Sequence, residues 1–319
     1  MARVEMLPQH TTLRRRRLSR AQRRTLTFYM FISPWLLGLI ALGVVPLVVG
    51  LFVSFTNYNG LNADSARFVG VRNYARAFND PDTSYALGRT LLWSALNVPL
   101  WLGASFGLAL LLNTRSRAQG LFRTLFYLPG VIPLVATVWI WRIFLDANSG
   151  LLNGLLSLAR PGTAVQWFAD YGLVSITAIA VWAGVGGGMV VFLAGLQGVP
   201  PELEEAARMD GANAWHVLRH ITLPLLTPVI FFQLVLAVIG SLQQLAVPLM
   251  LGSSGGGVAR SMYLYMVHTY QQIFAFQRFG YGFALVWLLF GLIILLTLVV
   301  FRTSRYWVYY ETELEGGRT

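Results

Sequence analysis

The residues best equipped for chemistry crowd into one stretch, Glu204–Leu226, which reads EEAARMDGANAWHVLRHITLPLL. With Glu202 just upstream, it supplies carboxylates at Glu204, Glu205 and Asp210, guanidiniums at Arg208 and Arg219, and imidazoles at His216 and His220. The two histidines stand four apart, so on a helix they share a face and could hold one metal ion. No HExxH accompanies them and no third ligand is evident. We read them instead as solvated or phosphate-facing side chains on a short helix. Cysteine is absent, which excludes disulfides and thiolate metal sites. Lysine is absent too, all 24 basic residues being arginine, which excludes a Schiff base and a P-loop. No catalytic residue, metal or cofactor is expected, and if ATP drives the function another chain binds it.

The local grammar of the stretch is that of two short helices at a membrane surface. Val199-Pro200-Pro201 stops a preceding helix, because proline disfavours helical geometry in the residue before it yet fits the first turn of a new one. Glu202, Glu204 and Glu205 then fall in a first turn, where the helix dipole favours negative charge. Asp210-Gly211 is a stop signal, Asn213 can cap a second helix over Ala214–His220, and Pro224 opens the next apolar segment. Ala207 and Gly211 are four apart and share a face, with Ala206 beside them. Small residues on an exposed face let another surface approach, and the neighbouring acids could meet arginines on a partner. A solvated, capped loop accounts for the same spacing, so both readings stand at this point.

The elements that must position this island are apolar. The chain is 56% hydrophobic and 12% charged, with charge-free runs over Thr25–Ala63, Thr90–Thr114, Tyr171–Pro201 and Phe279–Phe301. Crossing the hydrocarbon takes about 20 apolar residues as a helix, and the runs are too continuous for a β-barrel. The fold class expected is an all-α integral membrane protein. Six spans are placed near Tyr29–Phe52, Leu91–Leu112, Thr124–Ile143, Val174–Leu196, Leu226–Leu249 and Gly280–Phe301, the third kinked by Pro129, Gly130 and Pro133.

The net charge of +11 does not mark a nucleic-acid binder, because eight arginines lie in the first 24 residues, ahead of the first span. That is the positive-inside pattern, and the following apolar run is too long for a cleaved signal peptide. With the N-terminus inside, the inner segments 1–28, 113–123, 197–225 and 302–319 hold 16 of the 24 arginines. The domains expected are a disordered basic arm over 1–28, a six-span domain over 29–301 containing the polar loop 199–224, and a cytoplasmic tail over 302–319. Asn57–Arg89 reads as a polar outer loop, and LLNGLLSLA within Leu145–Asp170 as a short surface helix with Trp167 at the interface. Gly252–Gly257 is a turn rather than a phosphate loop, since no strand precedes it and no lysine follows.

A proton-coupled transporter needs ionisable groups within the membrane, and no Asp or Glu lies inside these spans. A sodium-coupled transporter, a channel or a membrane scaffold remain as alternatives. The in-span groups suited to sugar hydroxyls and ring faces are Asn97, Trp101, Trp139, Gln243, Gln244 and Tyr281. Gln243-Gln244 leads them, because adjacent amides deep in an apolar span are costly unless used.

Glu205-Ala206-Ala207, three residues, Gly211, nine residues, then Ile221-x-Leu223-Pro224 resembles the EAA loop of ABC-transporter permease subunits, EAA-x3-G-x9-I-x-L-P, at every fixed position. The resemblance extends over nearly the whole chain from about Phe28. FISPWLLGLIALGVVPLVVGLFVSF, FVGVRNYARAF, RTLFYLPGVIPLVATVWIWRIFLD and GLQGVPPELEEAARMDGA look like carbohydrate-uptake permeases, most like the first permease of maltose and glycerol-3-phosphate type systems. The ending RYWVYYETELEGGRT lacks the glycine- and lysine-containing tail usual in second permeases, and the last outer loop reads SSGGG where the family often has Thr-Gly-Gly-Pro. The resemblance implies that Glu204, Glu205, Ala206, Ala207, Asp210 and Gly211 form a coupling helix seated on an ATPase subunit. It also implies four kinds of partner: a second homologous permease, two ABC ATPases holding ATP and Mg, an extracytoplasmic sugar-binding protein, and membrane lipid. The location implied is the inner membrane of a bacterium or archaeon, and the function passage of a sugar, polyol or sugar phosphate.

Overall fold

The computed structural model describes residues 19–62, 64, 66–114, 118–162, 164–252 and 259–309. The basic arm up to Leu18, the inner-loop arginines Arg115 and Arg117, the glycine run after Gly252 and the tail from Tyr310 lie outside the described residues. The described elements are helical: α1 Arg20–Leu39, α2 Val45–Ser54, α3 Arg72–Asn79, α4 Pro81–Leu112, α5 Gln119–Val131, α6 Leu134–Phe144, α7 Leu151–Ala159, α8 Trp167–Asp170, α9 Gly172–Gln197, α10 Pro201–Met209, α11 Ala214–Val217, α12 Leu223–Leu242, α13 Ala246–Gly252, α14 Tyr265–Tyr270 and α15 Phe279–Ser304. Among the described residues the only β pairing is one isolated bridge, Thr56 with Phe68.

Five helical stretches are long and apolar enough to cross a membrane: Arg20–Ser54, Pro81–Leu112, Gly172–Gln197, Ala214–Gly252 and Phe279–Ser304. The bent pair α5–α6 makes a sixth if counted as one span. The chain divides into a unit ending at Phe52 and a larger one from Val53. In the first, α1 opens on a capping box between Ser19 and Gln22, and a π turn at Ile40–Val44 joins α1 to α2. Pro46 explains that turn. Its ring crowds the carbonyl four residues back, at Leu42, and a widened turn relieves the clash.

In the larger unit, α9 packs between α4 and α5, and α12 lies against α4, α9 and α15. The close approach depends on the run GVGGG in α9. A Cβ at Gly186 would collide with the α5 backbone at Phe126, one at Gly184 would come 2.8 Å from Trp101 Nε1, and one at Gly188 would meet Trp101 at 2.8 Å. Small residues at helix contacts are how membrane bundles gain van der Waals packing when apolar burial alone gives no preference over lipid.

Two expectations need correction. The third span is not a gently kinked helix but a 97° turn between α5 and α6. Pro133 forces Ile132 into extended geometry (φ −66°, ψ 128°), so the helix stops instead of bending. Likewise, Ala214–His220 is not a separate surface helix. α11 runs through a π turn at Leu218–Thr222 straight into α12, so Ala214–Leu242 is one continuous helical stretch. The π turn holds His220, the carbonyl that Pro224 would otherwise crowd. On the other side, much of the expected outer loop Asn57–Arg89 is helical, in α3 and the first turns of α4.

The start of α4 is tied to α14 and α15 by a buried polar network. Asp80 caps α4 by accepting from Asp82 N at 3.0 Å. Tyr281 Oη donates to Asp80 Oδ2 at 2.8 Å. Thr83 Oγ1 stands 3.0 Å from His268 Nε2, and His268 Nδ1 is 2.9 Å from Tyr263 Oη, which donates to Gln271 at 2.9 Å. Burial pushes the His268 imidazole below its ordinary 6.5, outweighing the Asp80 and Asp82 carboxylates that pull the other way, while Arg76 adds to the fall. The unfolded chain therefore takes up this proton first. The contribution of neutral His268 is fully present above about pH 6.5 and is lost as pH falls below it. The thermal midpoint of the detergent-purified protein should drop between about pH 7.5 and 5, and His268→Gln should flatten that slope. An unchanged slope in the variant would assign the acid sensitivity elsewhere.

Candidate functional site

The membrane interior holds a cavity of about 470 Å3 between α4, α9 and α12. Trp93, Asn97 and Trp101 of α4 line one side, Gly184 and Gly188 of α9 another, and Gln233, Ser241 and Gln244 a third. A side chain at Gly184 or Gly188 would meet the Trp101 indole and narrow this space. The helix break at Gln243–Leu245 brings in the amide: Pro248 crowds the carbonyl of Gln244 four residues back, so α12 ends at Leu242 and restarts at Ala246. Irregular backbone at membrane depth is tolerated where it lines a cavity.

The cavity wall is under-satisfied at Trp93 and Asn97. Among the described residues, the buried side-chain polar atoms without a hydrogen-bond partner are Trp93 Nε1 and Asn97 Oδ1, which line the cavity, and Arg89 Nε and Ser105 Oγ, which lie beyond its two ends. All four belong to α4 and stand at multiples of four, with Trp101 filling the remaining place. They form a single ridge, about 24 Å long at 1.5 Å per residue. An unpaired buried polar atom costs about 1–3 kcal/mol, so donors and acceptors here are available to a hydroxylated guest. Gln233 is buried, 4% exposed, and its amide reaches only a 3.4 Å bond to Gly188 O.

Of the in-span candidates, Asn97, Trp101 and Gln244 meet in this cavity. Gln243 is exposed as the C-cap of α12, and Trp139 is 55% exposed with the Arg142 guanidinium 5.3 Å from its ring. Tyr281 is buried in the network around Asp80. Gln233 and Trp93 were missed. The signal for Gln233 was an isolated amide in a charge-free span, and for Trp93 a tryptophan one turn from Asn97 on the α4 face.

The polar island forms a compact surface element. α9 ends at Gln197, Pro200 is the N-cap of α10, and Pro201 opens it. Its C-terminus closes with the paired Schellman bonds, Ala212 N to Ala207 O at 2.9 Å and Gly211 N to Arg208 O at 3.1 Å. They require Gly211 at φ +86°, a left-handed geometry that suits glycine. Asn213 caps α11 by accepting from His216 N at 2.9 Å. Glu204 is tied down, accepting from Thr222 Oγ1 at 3.4 Å with Arg208 3.9 Å away. Glu205, Ala206, Asp210 and Gly211 stay exposed, and Ala207 is half-buried. Three large apolar side chains stand out from the element: Leu203, Met209 (89% exposed) and Trp215 (62%). The His216 and His220 rings stack at 5.7 Å with Nδ1 atoms near Asn213 Oδ1 and His216 O, and the described residues hold no group of three or more His, Asp or Glu placed to bind a metal ion.

Comparison with known proteins places this architecture. The model of the family described as the binding-protein-dependent transport system inner membrane component matches residues 100–308. The probable ABC transporter permease protein YesP of Bacillus subtilis is 35% identical over 292 residues, covering 90% of this chain and 93% of YesP. The trehalose/maltose transport system permease protein MalF of Thermococcus litoralis is 29% identical over 282 residues, 87% of this chain and 93% of that one. Among solved structures, a bacterial alginate ABC transporter in complex with an alginate pentasaccharide-bound periplasmic protein superposes with a TM-score of 0.78 at 20% identity, covering 89% of this chain and 96% of the matched one. The chain, with its multiple apolar spans, belongs to the inner membrane components of binding-protein-dependent transport systems.

Proposed function

We propose that this chain is the non-catalytic permease subunit of an ATP-driven sugar importer. In this reading α5–α6 is one broken span of six, both termini and α10 face the cytoplasm, and α10 is the coupling helix that an ATPase subunit receives. A second homologous permease, two ATPases that bind ATP and Mg, and an extracytoplasmic binding protein complete the assembly. The observation that carries the reading is the α10 element. It has a fixed C-terminal cap, a small-residue face at Ala207 and Gly211 with the exposed Ala206 beside it, and two apolar side chains turned outward, Leu203 and Met209, next to Trp215 of α11. The permease relative for trehalose and maltose supports a sugar as cargo, and so does the cavity. Asn97, Gln233 and Gln244 offer amides for hydroxyls, while Trp93 and Trp101 offer an indole N–H and ring faces.

Coupling can be tested without unfolding the chain. A Cβ at Gly211 would meet nothing within 4 Å, so Gly211→Asp costs only left-handed backbone strain, about 1–2 kcal/mol. Membrane levels should stay normal, while ATPase co-purification weakens and substrate-stimulated ATP hydrolysis is lost. Glu205→Lys, at an exposed site that reverses charge, should do the same. Full stimulation in both variants would reduce α10 to an ordinary capped loop.

The cavity has its own test. Asn97 Oδ1 has no partner to lose, so Asn97→Leu should leave the thermal midpoint unchanged or raise it. Sugar uptake in vesicles should nevertheless fall about tenfold, the equivalent of one hydrogen bond to cargo. Unchanged uptake would move the cargo path away from this wall.

A further inference from the structure

A second polar cleft, of about 510 Å3, opens where the α3–α4 junction meets the segment after α14. Arg76, Asn79, Gln272, Phe276 and Arg278 line it with Asp80 and Asp82. We propose that it seats the phosphodiester of a phospholipid headgroup, held between Arg76 and Arg278. The position fits the membrane boundary. Arg278 directly precedes Phe279, where the charge-free run of the last span begins, and Arg76 lies 4.5 Å over the ring of Tyr281 in the first turn of that span.

The charges fit one monoanion. Asp82 is already paired with Arg260 at 3.0 Å. Asp80 accepts from Tyr281 and from the backbone of Asp82. Neither Arg76 nor Arg278 has a carboxylate within 4.0 Å among the described residues. Three arginines against two aspartates leave one positive charge, and burial keeps His268 behind them neutral near pH 7. Guanidinium forks match phosphate oxygens in geometry as well as charge.

The backbone supports a built site. A π turn at Gln271–Ala275 runs into Gln277 at φ +52°, the one non-glycine residue with positive φ among the described residues. Two unusual conformations in succession set the directions of Phe276 and Arg278 on the cleft rim, and such strain gathers at functional positions. Gln272, only 6% exposed, holds Arg278 through its Oε1 at 3.3 Å. Phe276, which lines the cleft, stands 53% exposed beside it, as aromatic side chains do where headgroups meet acyl chains. The lipid is favoured because the cleft lies where the charge-free run of the last span begins and its one aromatic lining residue, Phe276, is left exposed to meet acyl chains.

The test uses the whole transporter complex in detergent, with phosphatidylglycerol added and counted by native mass spectrometry. Arg76→Gln and Arg278→Gln should each weaken one retained lipid about fivefold, and the pair about twenty-five-fold. Arg278→Lys, which keeps the charge and loses the fork, should fall between. Equal lipid retention in the double variant, with a normal thermal midpoint, would overturn the proposal. So would displacement of the lipid by inorganic phosphate at equal concentration, or by a carboxylated oligosaccharide, since either would make the cleft a soluble-anion or glycan site. Cargo uptake is not the readout, so failure here leaves the permease reading untouched.

Discussion

Hydrocarbon offers a backbone no hydrogen-bond partner, and the structure is organised around where that demand is relaxed. Long unbroken helices satisfy it in α4, α9 and α15. The interruptions of the candidate spans each have a proline within reach. Pro46 and Pro224 stand behind π turns, Pro133 behind the 97° break, and Pro248 behind the gap at Gln243–Leu245. The first two preserve a continuous helix by widening one turn. The latter two end a helix outright, and the second of them opens onto the cavity. The difference lies in geometry at one residue: Ile132 is driven to extended dihedrals and cannot be absorbed by a wider turn.

Packing follows the same logic of removal. The α9 glycines delete side chains so that α4 and α5 can approach on two sides, and the missing volume beside Gly184 and Gly188 becomes part of the cavity. The cavity wall is therefore made of groups that packing leaves free. On the α4 side its unpartnered polar atoms are Trp93 Nε1 and Asn97 Oδ1.

Much of this was legible in the sequence, and the reasons for the rest are physical. Charge-free runs marked the spans, because hydrophobic length is a one-dimensional property. The caps Pro201, Gly211 and Asn213 were readable for the same reason: capping is local. Proline was readable as a disturbance but not as an outcome, since a bend, a π turn and a break all begin from the same residue. The cavity was half legible. Asn97, Trp101 and Gln244 stood out by type, while their meeting depends on a crossing of three helices. Gln233 was passed over for the adjacent pair Gln243-Gln244, of which only the second turns inward. Tyr281 reads as a pathway residue because it lies in a span, yet its hydroxyl faces Asp80, 201 positions earlier, at 2.8 Å.

The continuity of α11 with α12 gives the two functional regions a mechanical relation that separate surface helices would lack. The stretch from Ala214 to Leu242 has no break, only a π turn, so it moves as one rod on the scale of side-chain contacts. At one end α10 is fastened to it by the Glu204–Thr222 bond and by the short Ala212–Asn213 connection. At the other end it presents Gln233 and Ser241 to the cavity and then breaks at the amide Gln244. On the permease reading, a partner that shifts α10 would push on this rod through the short turn and the Glu204–Thr222 bond. The break at Gln243–Leu245 is where the motion can be taken up, and it lies beside the cargo groups. A separate surface helix joined by a flexible loop would have dissipated the same push before it reached the membrane. On the same reading, the overlap of π turn, Pro224 and polar island would couple surface to cavity through one covalent element.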